Sequence, residues 1–141
     1  FREQSVTDLA NFLAGELHAR GKHVSAAVFP TPDIARGLVR QDWTRWDLDD
    51  IFPMAYYAHY NKKASWVGTS TTAVREALAG RGTKIYTGIL LNGTLEGELE
   101  TAVRAAFDHG ADGMAIFGDI REDRARPLGK LLAGAALPPR I

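Results

Sequence analysis

The chain contains no cysteine, which excludes disulfide staples, thiolate metal sites and thiol nucleophiles and leaves both reducing and oxidising compartments open. It also lacks an excess of charge. Lys plus Arg and Asp plus Glu each number 17, so no net field draws the chain to nucleic acid or to an anionic membrane. No apolar run approaches the roughly 18 residues that would span a bilayer. No glycine-rich loop follows a short apolar run, which argues against a phosphate-binding α/β domain. The four histidines, His18, His23, His59 and His109, show no metal-ligand spacing, so neither a metal nor another cofactor is expected.

What is present is an ordinary globular composition: 141 residues, 45% hydrophobic and 24% charged, enough for one α/β domain over residues 1–141. Val6, Leu9, Leu13 and Leu17 recur at helical spacing and predict an amphipathic helix from Ser5 to about Arg20. The run Val24–Phe29 then reads as a strand covered by other elements. Thr31, Pro32 and Asp33 supply an N-cap, a first-turn proline and a first-turn carboxylate for a helix running toward Trp46.

The pattern repeats. A strand is expected over Ile51–Tyr57, with Pro53 discordant unless a bulge or a start near Met54 accommodates it. A helix follows over Thr72–Ala79, a strand over Ile85–Leu91, a helix capped by Thr94, and a strand over Gly113–Asp119. A charged turn at Arg121–Arg124 precedes a last helix over Pro127–Ala133. Alternating helices and strands, with crossovers long enough for parallel pairing, give an α/β fold with four parallel strands. Either an open doubly wound sheet or half of a (β/α)8 barrel satisfies that order.

The strands themselves favour the barrel. Val24, Ala26 and Val28 suit a helix-covered face, leaving Ser25, Ala27 and Phe29 inside. The same parity turns Met54 and Tyr56, then Tyr86, Gly88, Leu90 and Asn92, then Gly113, Ala115, Phe117 and Asp119 inward. Small residues deep in the strands and larger or polar ones at their carboxyl ends match a barrel with its working face at that end.

Gln41, Asp42 and Trp43, then Trp46, Asp50, Pro53, Met54 and Tyr56, form a constellation that resembles the glycosyl-hydrolase-like family 10 group. That group consists of bacterial envelope and secreted proteins with a (β/α)8 barrel. The segments Val24–Pro30 and Gly110–Asp119 extend the resemblance over most of residues 1–119. It implies that the chain is the C-terminal half of such a barrel, with earlier strands, one of them ending in acidic residues, upstream of Phe1. It also implies a carbohydrate substrate and a cell-envelope or extracellular location.

Glycoside hydrolysis usually needs two carboxyl groups roughly 5 to 9.5 Å apart. Asp119, at a strand end, is the one good catalytic candidate, with capping of the next turn as its alternative role. Asp42 and Asp50 read first as capping or ion-pairing groups, although Asp42 is also a candidate to touch substrate. Tyr56, Tyr57 and Trp43 could stack on a sugar ring and hydrogen-bond its hydroxyls; for Trp43, core packing is the stronger alternative. Asn92 and His59 complete the candidate substrate-binding set. Hydrolysis by this chain alone is not expected; a non-catalytic carbohydrate-binding or structural module is the competing reading. Four parallel strands of an unclosed barrel leave edges and an apolar face bare, so self-association, or pairing with an N-terminal half, is expected.

Overall fold

The computed structural model describes residues 2–91, 96–118 and 122–134. Helix α1 (Arg2–His18) leads into strand β1 (Ser25–Val28), α2 (Pro32–Val39), β2 (Asp50–Pro53), α3 (Trp66–Ala77), β3 (Lys84–Leu90), α4 (Glu96–Asp108), β4 (Gly113–Phe117) and α5 (Glu122–Gly134). The four strands form one parallel sheet in the order β1-β2-β3-β4. The chain is therefore α/β, and its βα units follow the arrangement of a half barrel.

The strand order decides between the two architectures. A doubly wound sheet reverses its strand order at a switch point so that helices cover both faces. Here the order never reverses, and both buried hydrophobic clusters lie on one face. Val28, Ile51 and Ile85 meet Ala35 of α2 and Val74 of α3, with Val6 and Ala10 of α1 packed beside them. Ile89 and Leu91 meet Val67 of α3, Leu99, Ala102, Val103 and Ala106 of α4 and Leu128 of α5, with Met114 and Ile116 alongside. The alternate strand residues, Ala27, Phe52, Met54, Tyr86, Leu90, Ala115 and Phe117, belong to neither cluster. Among the described residues the inward and outward parity expected along the strands holds, except at Phe29; Asn92 and Asp119 lie outside them. Phe29 lies one past the end of β1, outside the pleat, and packs against the helix-side cluster.

Two glycines let the open face close up on itself. A Cβ on Gly113 would stand 2.6 Å from the Tyr86 ring, and one on Gly88 would stand 3.0 Å from the Pro53 carbonyl oxygen. Tyr86 therefore lies over Gly113 while stacking on Phe52, with ring centroids 5.2 Å apart.

Several boundaries differ from expectation for identifiable reasons. Helix α2 has its Thr31 cap, the Thr31 hydroxyl accepting from the Ile34 N–H at 3.3 Å, but it stops at Val39. Arg40 adopts φ 57°, and the chain continues through a separate 3-10 turn at Trp43–Arg45. Strand β2 ends at Pro53 rather than beginning beyond it. Proline has no N–H for the ladder, and only Met54, opposite Gly88, resumes the pairing. Helix α3 starts at Trp66, six residues before Thr72, because the run of hydroxyls is satisfied internally. Ser70 donates to the Pro30 carbonyl at 2.8 Å, and Thr71 bonds the Val67 carbonyl at 2.9 Å and the Thr87 hydroxyl at 3.0 Å. Helix α5 begins at Glu122 and carries Pro127 inside it, so part of the expected charged turn is helical. The proposed Thr94 cap lies outside the described residues.

Candidate functional site

In a parallel sheet of βα units the carboxyl ends of the strands form the working mouth, and the amino ends form the base. Tyr56 follows β2 at the mouth. Its ring stacks on Phe117 at the end of β4, with centroids 6.0 Å apart and 18° between planes. His59 meets the same ring edge-on at 5.9 Å and 89°. The Tyr56 ring lies over Gly88, its Cε1 3.6 Å from where a Cβ would stand, an ordinary van der Waals distance. Phe117 is 64% exposed, so this stack presents a bare aromatic ring at the mouth. Just beyond, in the 3-10 turn Tyr57–Tyr60, the Tyr60 ring lies 5.5 Å from Trp66.

Burial pushes the Tyr56 phenol above its ordinary value, and burial followed by the charge of Tyr56 does the same to Tyr60. Both hydroxyls consequently stay protonated at neutral pH and can donate as well as accept hydrogen bonds.

The candidate residues do not all gather here. Tyr56 and His59 do. Tyr57, adjacent in sequence, has the opposite parity: it is buried in the helix-side cluster, and its phenol donates to Glu98 at 3.1 Å. Asp42 and Trp43 lie away from the mouth, because α2 carries the chain back toward the base before they occur. Trp43 is 1% exposed within the core cluster, which rules it out as a stacking surface. Asp42 accepts from Arg36 at 2.9 Å and from the Thr44 hydroxyl at 2.5 Å. Burial raises its pKa, but those two hydrogen bonds and the neighbouring guanidinium charges outweigh it and hold Asp42 below the usual carboxylate range. It is a structural ion pair. Asn92 and Asp119 lie outside the described residues. The β3 and β4 chains still converge at the last described positions, where the Leu91 N–H donates to the Phe117 carbonyl at 2.9 Å.

Three further aromatic or acidic side chains enter the account. Phe117 shares the parity of Asp119 two residues on and was legible as inward-facing, though not as half of a stack. Trp66 and Glu98 sit in the first turns of helices that leave the mouth, and the rule that such turns line the working face was their only signal in the sequence.

The base has the opposite chemistry. His18 Nε2 lies 2.9 Å from Asp49, and His23 Nε2 lies 2.7 Å from Asp50. Asp49 also accepts from the Val24 N–H at 2.7 Å, and Asp112 accepts from Arg75 at 2.7 Å and from the Ile85 N–H at 2.8 Å. Carboxylates thus tie the amino end of β1 to that of β2 and the amino end of β3 to that of β4. Asp50 is the only carboxylate at an inward-facing strand position among the described residues, and it stands at the far end from Tyr56. Within that set the mouth offers rings, a phenol and an imidazole but no pair of acids. The groove of about 520 Å³ lined by Asp33, Arg36, Thr44 and Glu76 has no aromatic side chain in its lining. Among the described residues no group of three or more His, Asp or Glu side chains could hold a metal ion. No helix there is long and apolar enough to cross a membrane.

Comparison with family models, with curated proteins and with solved structures finds no match.

Proposed function

We propose that the mouth of the sheet is a carbohydrate-binding wall of a glycoside-hydrolase-like barrel, in which Phe117 and Tyr56 take the apolar face of a sugar ring. The observation that carries this reading is the Tyr56–Phe117 stack, exposed at a strand-end mouth and flanked by the His59 imidazole. A pyranose presents axial C–H groups to such a ring and hydroxyls at its edge. The Tyr56 phenol and His59 are placed to meet those hydroxyls.

Hydrolysis needs a pair of acids, and among the described residues no carboxylate stands at an inward-facing strand position of the mouth. Asp119 stays the catalytic candidate and Asn92 a candidate for contacting sugar hydroxyls, while Asp42, Trp43 and Tyr57 leave the set for the reasons given above. Binding without turnover is the role the described residues support best. The open sheet face and the edges of β1 and β4 that stay unpaired among the described residues call for a neighbour, either further barrel strands or a second copy of the chain.

A glycan array followed by calorimetry on the best oligosaccharide tests the proposal. Phe117→Ser is expected to weaken binding at least about tenfold, and Tyr56→Phe by roughly fivefold for one lost hydroxyl contact. Equal affinity in both variants would remove the wall from the binding site. Loss of residual hydrolysis in Asp119→Asn, with binding retained, would assign that carboxylate to catalysis.

A further inference from the structure

The 3-10 turn Tyr57–Tyr60 is held from the helix side of the sheet. Tyr57 is 5% exposed, and its phenol donates to Glu98 of α4 at 3.1 Å. Asn61 then takes a left-handed conformation, φ 53°, and reverses the chain. The Lys62 N–H bonds the Tyr57 carbonyl at 2.9 Å, and the Trp66 N–H bonds that of Lys63 at 2.9 Å. This pinned reversal sets Tyr60 beside Trp66, with 5.5 Å between ring centroids and 40° between planes.

Both rings are half-buried, and Trp66 leans on the helix-side cluster, but their polar tips are left over. Among the described residues neither the Tyr60 hydroxyl nor the Trp66 indole N–H has a hydrogen-bond partner. Neither belongs with the sealed-in unpaired atoms, which are Thr7 Oγ1, Trp43 Nε1 and Trp46 Nε1. Both tips therefore open to water. An aromatic pair with apolar bodies and wet polar tips meets a sugar ring in two ways, taking its C–H face on the rings and its hydroxyls at the edge. The pair also adjoins the first platform. Tyr60 follows Tyr56 by four residues, and its phenol feels the charge of Tyr56, so the two hydroxyls border one opening.

We propose that Tyr60 and Trp66 form a second sugar subsite beside the Tyr56–Phe117 platform. The ligand of the mouth is then an oligosaccharide of two or more linked units, running from the end of β4 toward the start of α3. This inference rests on the carbohydrate reading of the mouth and adds the length and direction of the ligand. A unit held on the first platform presents the next one to the second at high effective concentration. The pinned turn spares the ligand the cost of ordering a loop.

Calorimetry on the whole chain, with a single sugar and its two- to six-unit oligomers chosen from the glycan array, tests the subsite. Affinity should rise at least about tenfold from one unit to two. That ratio should fall toward one in the double variant Tyr60→Phe, Trp66→Phe, which keeps apolar rings in place and removes the hydroxyl and the N–H. It should hold its value in Leu38→Ala, an exposed leucine of α2, whereas Phe117→Ser should weaken short and long ligands alike. Tryptophan fluorescence gives a second measurement that does not depend on the double variant. Trp43 and Trp46 are only 1% and 9% exposed, so an emission change caused by the two-unit ligand should vanish in Trp66→Phe. Equal affinity for one unit and for longer chains, with Phe117→Ser still weakening both, would overturn the second subsite and leave the first platform standing. A gain with length that survives the double variant, with no change in Trp66 emission, would also overturn it by placing the added units elsewhere. Failure of every glycan to bind would overturn the carbohydrate reading itself, and the second subsite with it.

Discussion

At the scale of single residues, the open face depends on what two glycines leave out. The Tyr86 ring occupies the space above Gly113 and is held from its other side by Phe52, so it has little room to retreat. Gly113→Ala is therefore expected to destabilise the fold by about 1–3 kcal/mol, the usual cost of overpacking, read from urea denaturation. Adding Tyr86→Ala to that variant should recover part of the loss, because the clash is with the ring. Equal costs for the single change and for the pair beyond simple additivity would mean that the backbone, and not Tyr86, resists the methyl group. Asp42 makes a second case. Only 7% of the residue is exposed, and it accepts hydrogen bonds from Arg36 and Thr44. Asp42→Ala removes the closer of the two carboxylates beside Arg36, leaving Asp33 at 3.9 Å, and strips Thr44 of its acceptor, and is expected to cost about 1–3 kcal/mol. Sugar binding should survive in the folded protein, since the residue is remote from the mouth. Loss of binding at full stability would return Asp42 to the site.

At the scale of elements, the carboxylates along the base give the sheet a defined response to pH. Asp49 is held below its ordinary range by the Val24 N–H first and then by His18. Asp112 is pushed up by burial but pulled lower overall by the Ile85 N–H, Arg75 and Lys84. A carboxylate whose folded value is depressed contributes stability that is present above its unfolded value, about 3.9, and is lost as pH falls through the folded value. His23 behaves in the opposite sense. Its hydrogen bond to Asp50 raises its value, so its contribution is complete below about 6.5 and fades as pH rises through the folded value. Urea midpoints should therefore plateau between about pH 5 and 6, fall steeply below about 4 and drift down gently above 6.5. Asp112→Asn should shallow the acid limb, and His23→Ala should flatten the alkaline one. An alkaline limb unchanged in His23→Ala would detach that imidazole from folding stability.

These same elements show what could be read in advance. Helix, strand and parity assignments followed from periodicity, because one apolar face per element is what the core requires. The stop of α2 at Arg40 was hidden, since the left-handed turn there uses a residue with no preference for it. The hydroxyl run Thr69–Thr72 concealed the first turn of α3, because its partners, Pro30 and Thr87, are distant in sequence. In the site, parity found Tyr56. It could have separated Tyr56 from Tyr57 as well, had the alternation been carried one residue past the strand end. Asp42 and Trp43 were misplaced because a motif in sequence carries no information about which end of a βα unit it will occupy. The helix length, which sets that, was the boundary in error.

At the scale of the whole molecule, sequential strand order has a consequence for where stability resides. Strand β3 pairs with β2 on one side and with β4 on the other, and its outward residues Ile85, Thr87 and Ile89 are essentially inaccessible. Among the described residues strands β1 and β4 each keep one unpaired edge, and water reaches much of the inner face, where Ala27 and Phe117 are exposed and Phe52, Tyr86 and Ala115 half-buried. Helix α1 is fastened chiefly at its inner side chains and by polar clasps. Asn11 bonds the Arg45 carbonyl and the Asp47 N–H, and His18 bonds Asp49. Local opening draws on segments with few buried apolar contacts and exposed hydrogen bonds. Native-state hydrogen exchange should then rank the β3 amides slowest, at the free energy of global unfolding, with β1 and β4 intermediate and α1 fastest in dilute solution. Exchange that is slowest in β1, or uniform across the sheet, would contradict the central place of β3.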